Sequence, residues 1–294
     1  MQYFWVLLIL VYGIFKGLRE ALKKKAMETN SVLEVLFFYT LFAFIFILPF
    51  SRDVFSVSLK FHLALLAKAL IIFTAWLCAL NSIKRLPLSV YSVMDMGRVL
   101  FSIFLGVIFL NEKIGIFQAI GIVLVITGIT LVNLKKRDSV DEKGSTKVVL
   151  LVLISCILNS VSSIMDKWLL SDSERWLLGN EVITSSQLQF WYMLYLTSAY
   201  GIYILIKREK INVKKCVKCP WIWILSLLFV IADRALFLAN ADQNSTVVVM
   251  TLIKQSSVLV TIAMGALVYK EKHIFYRVVC ALTIILGIGI SLIK

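Results

Sequence analysis

Charge is scarce in this sequence. Only 16% of its 294 residues are Asp, Glu, Lys or Arg, while 60% are hydrophobic; an ordinary soluble domain carries about 25% and about 45–50%. The deficit excludes a soluble globular enzyme and a disordered tail. Proline is almost missing, at three residues, so little interrupts long helices. Cysteine numbers five, an odd count that leaves no closed disulfide framework. Cys78, Cys156 and Cys280 fall inside apolar runs as small apolar residues. Cys216 and Cys219 make one C-x-x-C without a second pair, so no metal or redox group is expected there. The nucleophile-elbow, zincin and Walker signatures are lacking as well. Neither catalysis, ATP hydrolysis nor any cofactor is therefore expected.

What the sequence does hold is a series of long apolar runs. Ten approach the roughly 20 residues that carry a helix across a bilayer: about 3–22, 33–50, 62–83, 88–110, 115–134, 148–170, 186–206, 221–241, 246–268 and 275–293. Membrane-spanning strands would instead alternate over about ten residues. Pro87 and Pro220 stand at predicted helix starts and Pro49 at an end, where a missing N–H is harmless. The expected fold class is all-α integral membrane with ten transmembrane helices. The first run has no charged leader or small-residue cleavage site, and it reads as a retained helix. A net charge of +14 alone would suggest a nucleic-acid partner. Its Lys and Arg cluster between the apolar runs, which points to a lipid bilayer and no nucleic acid.

The chain also repeats itself. A shift of 159 positions lays residues 72–135 on 231–294 without a gap, matching Asn81 with Asn240, Gly106 with Gly265, Glu112-Lys113 with Glu271-Lys272, and Gly128 with Gly287. Each half then holds five helices, and an odd number forces the second half to enter the membrane inverted. Inverted repeats are the architecture of alternating-access transporters, with the solute site near the midplane. The expected units are 1–138 and 148–294, joined by a charged linker at 139–147.

The segment Leu110-Asn111-Glu112-Lys113-Ile114, followed by Gln118-x-x-Gly121 and Thr127-Gly128, has a weaker second copy in Tyr269-Lys270-Glu271-Lys272 and Leu286-Gly287. On these residues the sequence resembles the drug/metabolite transporter superfamily in its ten-helix EamA-like form. The resemblance implies a carrier of small organic solutes, with a cavity lined by helices 1, 3, 4, 6, 8 and 9. It does not imply a particular substrate.

Charges inside the expected spans are the functional signal. An ionisable group at mid-depth costs at least about 2.5–3.5 kcal/mol, so it needs a partner or a wet cavity. Tyr91, Asp95, Arg98 and Ser102 share one face of helix four. Their repeat-mates are Met250, Lys254, Ser257 and Thr261; helix eight adds Asp233 and Arg234, and helix one Tyr12, Lys16, Arg19 and Glu20. Helix six presents Ser155, Asn159, Ser162 and Asp166 as one stripe. The candidate solute-binding set is Asp95, Arg98, Lys254, Asp233, Arg234, Tyr91, Ser257, Tyr12, Lys16 and Asn159. Its mid-depth cations outnumber its carboxylates, which points to an anionic or zwitterionic solute: an amino acid, an organic acid or a phosphorylated metabolite. Arg suits oxyanions through its planar fork.

Structural roles compete with that reading. Asp95–Arg98 and Asp233–Arg234 also fit neutralising pairs, and Lys16, Arg19, Glu20, Glu34, Lys68 and Asp166 lie near enough to helix ends to snorkel to headgroups. Glu112 and Glu271 are expected to cap and solvate their own turns. Gly13-x-x-x-Gly17 reads as a helix contact, and Trp191, Tyr192, Trp221 and Trp223 as interface anchors.

Most loop Lys and Arg follow odd-numbered helices, as in Lys23 to Lys25, Lys135 to Arg137 and Lys207 to Lys218. The positive-inside rule then places both termini outside the cytoplasm, opposite to the arrangement usual for the resembled superfamily. A plasma or inner membrane is expected, with the chain acting as monomer or homodimer. A carboxylate held beside Arg or Lys is a poor proton carrier near neutral pH, which favours a counter-substrate over a proton as the coupling partner. Two other functions stay open. An exporter of cationic or lipophilic compounds would want an unpaired carboxylate and aromatics such as Phe73, Trp76 and Phe237. A lipid-linked headgroup flippase would want a groove open to lipid.

Overall fold

The structure, a computed structural model, describes residues 4–51, 54–85, 95, 97–110, 112–134, 146–170, 183–257, 259–260 and 274–293. Tyr91, Thr261, Glu271 and most of the expected linker lie outside them. Among the described residues every regular element is a helix: α1 Phe4–Met27, α2 Val32–Ile47, α3 Leu59–Arg85, α4 Gly97–Phe109, α5 Ile116–Leu134, α6 Thr146–Leu170, α7 Ser185–Lys207, α8 Pro220–Ala241, α9 Val247–Lys254 and α10 Ile274–Ser291. A 3-10 turn, Leu48–Phe50, carries Pro49 at the end of α2, and the short helix Val213–Lys218 precedes α8. Local chemistry sets several ends. Ser31 and Glu34 form a capping box at the start of α2, and Thr184 and Gln187 repeat it at α7, each satisfying two otherwise orphaned N–H groups. Pro220 opens α8.

Among the described residues four segments are long and apolar enough to cross a membrane: Val32–Phe50, Leu59–Arg85, Thr146–Leu170 and Pro220–Ala241. Three shorter apolar helices accompany them, Gly97–Phe109, Ile116–Gly128 and Leu282–Ser291. Large apolar side chains face outward around the bundle; Leu7, Leu63, Phe104, Leu150, Ile202 and Leu286 are all more than half exposed. So many large apolar side chains facing outward suit hydrocarbon rather than water. The reverse holds for α9, where every residue from Val247 to Ser257 is buried.

Helix packing is paired. α1 packs on α8 and α6 on α3; α4 lies on α6 and α9 on α1; α7 meets α3 and α2 meets α8, while α5 crosses α10. Exchanging each of the first five helices with the helix five later returns the same set of contacts. Loop contacts sort by side as well. The α1–α2 and α7–α8 loops meet where Asn212 N–H donates to Glu34 Oε1 (2.9 Å) and Lys215 Nζ donates to the Thr29 carbonyl. Segments preceding α3 and within α7 meet through Trp191 Nε1 and the Val54 carbonyl (2.7 Å).

Glycines permit the closest approaches. A Cβ on Gly121 would stand 2.6 Å from the Gly287 carbonyl oxygen, and one on Gly287 2.9 Å from that of Gly121. Backbone lies on both sides, so no side chain can swing away. Gly121→Val is expected to cost about 1–3 kcal/mol, read as a lower Tm in detergent. Gly13 and Gly17 likewise bring α1 onto the segment after α9, against Ser256, Ser257 and Val260. The Gly13-x-x-x-Gly17 motif thus makes a contact within the chain.

Candidate functional site

Between these helices lies a cavity of about 120 Å³ whose wall is unusually polar for its depth. From α1 it takes Tyr12, Lys16, Arg19, Glu20 and Lys23, one stripe at spacings of three and four. Asp95, Arg98 and Ser102 come from the helix-four segment; Asn159, Ser162, Ser163 and Asp166 from α6; Asp233 from α8; and Thr251, Lys254 and Gln255 from α9 and its end. Helix α3 contributes Lys68 and Trp76, and Tyr39, Tyr192, Phe229 and Phe237 complete an aromatic wall.

Among the described residues ten charged groups share this space, six cations and four carboxylates. Each carboxylate has a cation beside it. Lys68 Nζ stands 2.7 Å from Asp166 and donates to Ser162 Oγ at 2.8 Å, with the Tyr192 ring 4.6 Å away. Arg19 is 3.8 Å from Asp233, donates to Tyr39 Oη at 3.4 Å, and lies over Phe229 at 5.0 Å. Lys23 pairs with Glu20 at 2.9 Å, and Arg98 with Asp95 at 4.0 Å. The two remaining cations are Lys16 and Lys254. Lys254 Nζ donates to Ser163 Oγ at 3.2 Å and sits 5.7 Å from the Tyr12 ring. Helix α9 stops at this residue: the Gln255 N–H bonds the Leu252 carbonyl, three residues back, at 3.0 Å. The carbonyl end of a helix favours a cation, so the interruption supports a charged Lys254.

Of the candidates expected from the sequence, Tyr12, Lys16, Asp95, Arg98, Asn159, Asp233 and Lys254 line the cavity. Arg234 does not. Adjacent residues point about 100° apart on a helix, so with Asp233 facing inward Arg234 faces elsewhere, and the partner of Asp233 is Arg19. Ser257 is buried outside the lining, with its carbonyl against Gly17. Tyr91 lies outside the described residues. Snorkelling is corrected for Arg19, Lys68 and Asp166, which are 5%, 2% and 5% exposed and turn into the cavity. Tyr192, expected as an interface anchor, is 2% exposed and faces Lys68. Phe73 packs on Tyr200 instead of lining the space.

Depth is asymmetric. The cavity reaches Lys23 and Ile83, close to the ends of α1 and α3. At the opposite end buried Lys167 donates to the Asn240 carbonyl (3.1 Å), the Asp242 carbonyl (2.8 Å) and Ser245 Oγ (2.8 Å), fastening the α8–α9 loop to α6. Glu112 belongs to that end too. It accepts from the N–H groups of Val247 (2.6 Å) and Val248 (2.9 Å), the first turn of α9. Sequence reasoning missed this because the partners are 135 and 136 residues away.

The C-x-x-C lies apart. Burial, with Glu34 and Cys219 nearby, pushes the Cys216 thiol up to about 11, and its Sγ donates to Asn30 Oδ1 at 3.7 Å. At pH 8 about one part in a thousand is thiolate. Cys216 is therefore expected to resist maleimide in the folded protein and react on denaturation, as mass spectrometry of labelled peptides would show. Among the described residues no group of three or more His, Cys, Asp or Glu could hold a metal.

Residues 3–134 match the EamA-like transporter family. A search of curated proteins returns no match. A solved structure described only as "Crystal structure of protein" superposes with a TM-score of 0.71 at 11% identity, covering 98% of this chain and 96% of that one. At that identity the likeness speaks for the fold alone. Through residues 3–134, a little under half of its length, the chain is similar to the EamA-like transporter family of the drug/metabolite transporter superfamily, and its long apolar helices fit a multi-pass membrane protein.

Proposed function

We propose that the chain is a secondary transporter that moves a small polar organic solute, anionic or zwitterionic, by alternating access. The solute site is the cavity between two inverted five-helix repeats, 1–138 and 148–294, joined by the linker at 139–147. One observation carries this reading: a buried, polar cavity at membrane depth in which cations outnumber carboxylates by two. The paired helix contacts support the inverted repeats. The reach of the cavity toward Lys23 and Ile83, with Lys167 and Glu112 tying the far end, supports an inward-facing state if the basic loops are cytoplasmic. Both termini then lie outside the cytoplasm, in a plasma or inner membrane. Each cavity carboxylate has a cation within 4.0 Å. The same pairing weakens the cationic-exporter reading, which wants an unpaired carboxylate.

Counterflow in proteoliposomes tests the proposal. Vesicles preloaded with unlabelled solute and containing the protein are expected to accumulate labelled organic anion above protein-free vesicles, with saturation. Flux of lipophilic cations alone, or of no soluble solute at all, would overturn it.

A further inference from the structure

The charge arrangement bears on which solutes the cavity accepts. We propose, resting on the transport reading, that the solute is a dianion, a dicarboxylate or phosphate monoester, held between Lys16 and Lys254, and that zwitterions are refused. All four cavity carboxylates already have a cation at 4.0 Å or less. Lys16 makes no ion pair or hydrogen bond among the described residues, and Lys254 has only the neutral Ser163 hydroxyl. Both lysines line the same cavity. On the wall beside them the Nε of Arg19, a residue 5% exposed, has no hydrogen-bond partner among the described residues. Among the described residues neither ammonium has a carboxylate within 4.0 Å, so an anion bound beside them would offset the cost of holding two like charges in one cavity.

A doubly charged anion satisfies both lysines at once. A monoanion leaves one of them uncompensated. A zwitterion brings its own ammonium into a space whose carboxylates are all engaged, which adds a like charge rather than removing one. Discrimination therefore falls to Lys16 and Lys254, the specificity-determining residues of the site.

The test compares four-carbon probes differing in charge, on the detergent-purified full chain by calorimetry at pH 7.5: succinate, butyrate and 4-aminobutyrate, with glycerol phosphate against glycerol. At least one dianion is expected to bind tenfold or more tightly than butyrate, with 4-aminobutyrate and glycerol silent. The succinate and glycerol phosphate arms tell carboxylate from phosphate. Lys16→Gln and Lys254→Gln, made separately so that each checks the other, should each weaken that dianion by about 10- to 100-fold, the range of a charge-assisted contact. They should also narrow its advantage over butyrate. Butyrate or 4-aminobutyrate binding as tightly as the dianions would overturn the inference and leave a solute site in the cavity standing. Dianion binding unchanged in both variants would overturn it by placing the site elsewhere. Silence from all five probes, with no counterflow, would remove the transport reading together with the inference.

Discussion

Lys68→Met lowers the stability of the detergent-solubilised protein by about 3–5 kcal/mol, the cost of leaving one member of a buried pair without its partner. Lys68 is 2% exposed, and its ammonium is shared between Asp166 at 2.7 Å and the Ser162 hydroxyl at 2.8 Å. Two aromatic rings, Tyr192 and Phe237, face it at 4.6 and 5.9 Å and add cation–π attraction. Methionine keeps much of the volume and the ring contacts but leaves the Asp166 carboxylate, 5% exposed, without its cation. Adding Asp166→Leu should restore most of the loss, because two apolar residues desolvate at no cost. Chemical denaturation of wild type, both single variants and the double variant checks this. A single-variant loss below about 1 kcal/mol would mean that water reaches Asp166.

The other large effect is at Glu112. Its two oxygens take the N–H groups of Val247 and Val248, the first donors of a helix buried on every side. Glu112→Ala leaves both donors unsatisfied, each worth about 1–3 kcal/mol when buried. We expect a total loss of about 2–4 kcal/mol. Glu112→Gln should lie between, since one amide oxygen still accepts. The consequence extends to the site, because α9 carries Lys254 at its far end. Anion binding should weaken several-fold in Glu112→Ala although Glu112 is not a cavity residue. Equal binding in both proteins would mean that the start of α9 holds its position without this cap.

Much of the fold was legible from the sequence because lipid leaves few alternatives. Apolar length marked the helices: α2, α3, α5 to α8 and α10 follow the expected runs within a few residues, α4 and α9 are described only over 97–109 and 247–254 of theirs, and α1 continues to Met27. That extension is easy to miss on hydropathy, since Lys16, Arg19, Glu20 and Lys23 lower it. Those residues turn into the cavity, so their charge does not disqualify the helix. Stripes also read correctly: Lys16 and Arg19 on α1, and Asn159, Ser162 and Asp166 on α6, share faces because three- and four-residue spacings do.

Other parts were hidden for physical reasons. Pairing across helices depends on packing angles that spacing does not carry. Asp233 was therefore matched with adjacent Arg234 when its cation, Arg19, sits more than 200 positions earlier. The position of Lys68 nine residues into α3 suggested a headgroup contact, and only the inward rotation of that helix shows otherwise. The Glu112 cap was hidden because a loop glutamate between two spans looks like a solvated turn. The matched Glu-Lys pairs of the repeat did signal that this loop mattered, though not to which helix.

The central claim is that the mid-depth charges face one aqueous cavity open toward the basic loops. Thiol accessibility tests it most directly, in a background with the five native cysteines replaced and in sealed vesicles of known orientation. Asn159→Cys, on the cavity wall, should react with a charged, membrane-impermeant methanethiosulfonate added from the side of the basic loops. A bound anionic solute should slow that reaction. Arg234→Cys, one residue from Asp233 but facing away from the cavity, should stay unmodified. Modification of Arg234→Cys with Asn159→Cys inert would contradict the account.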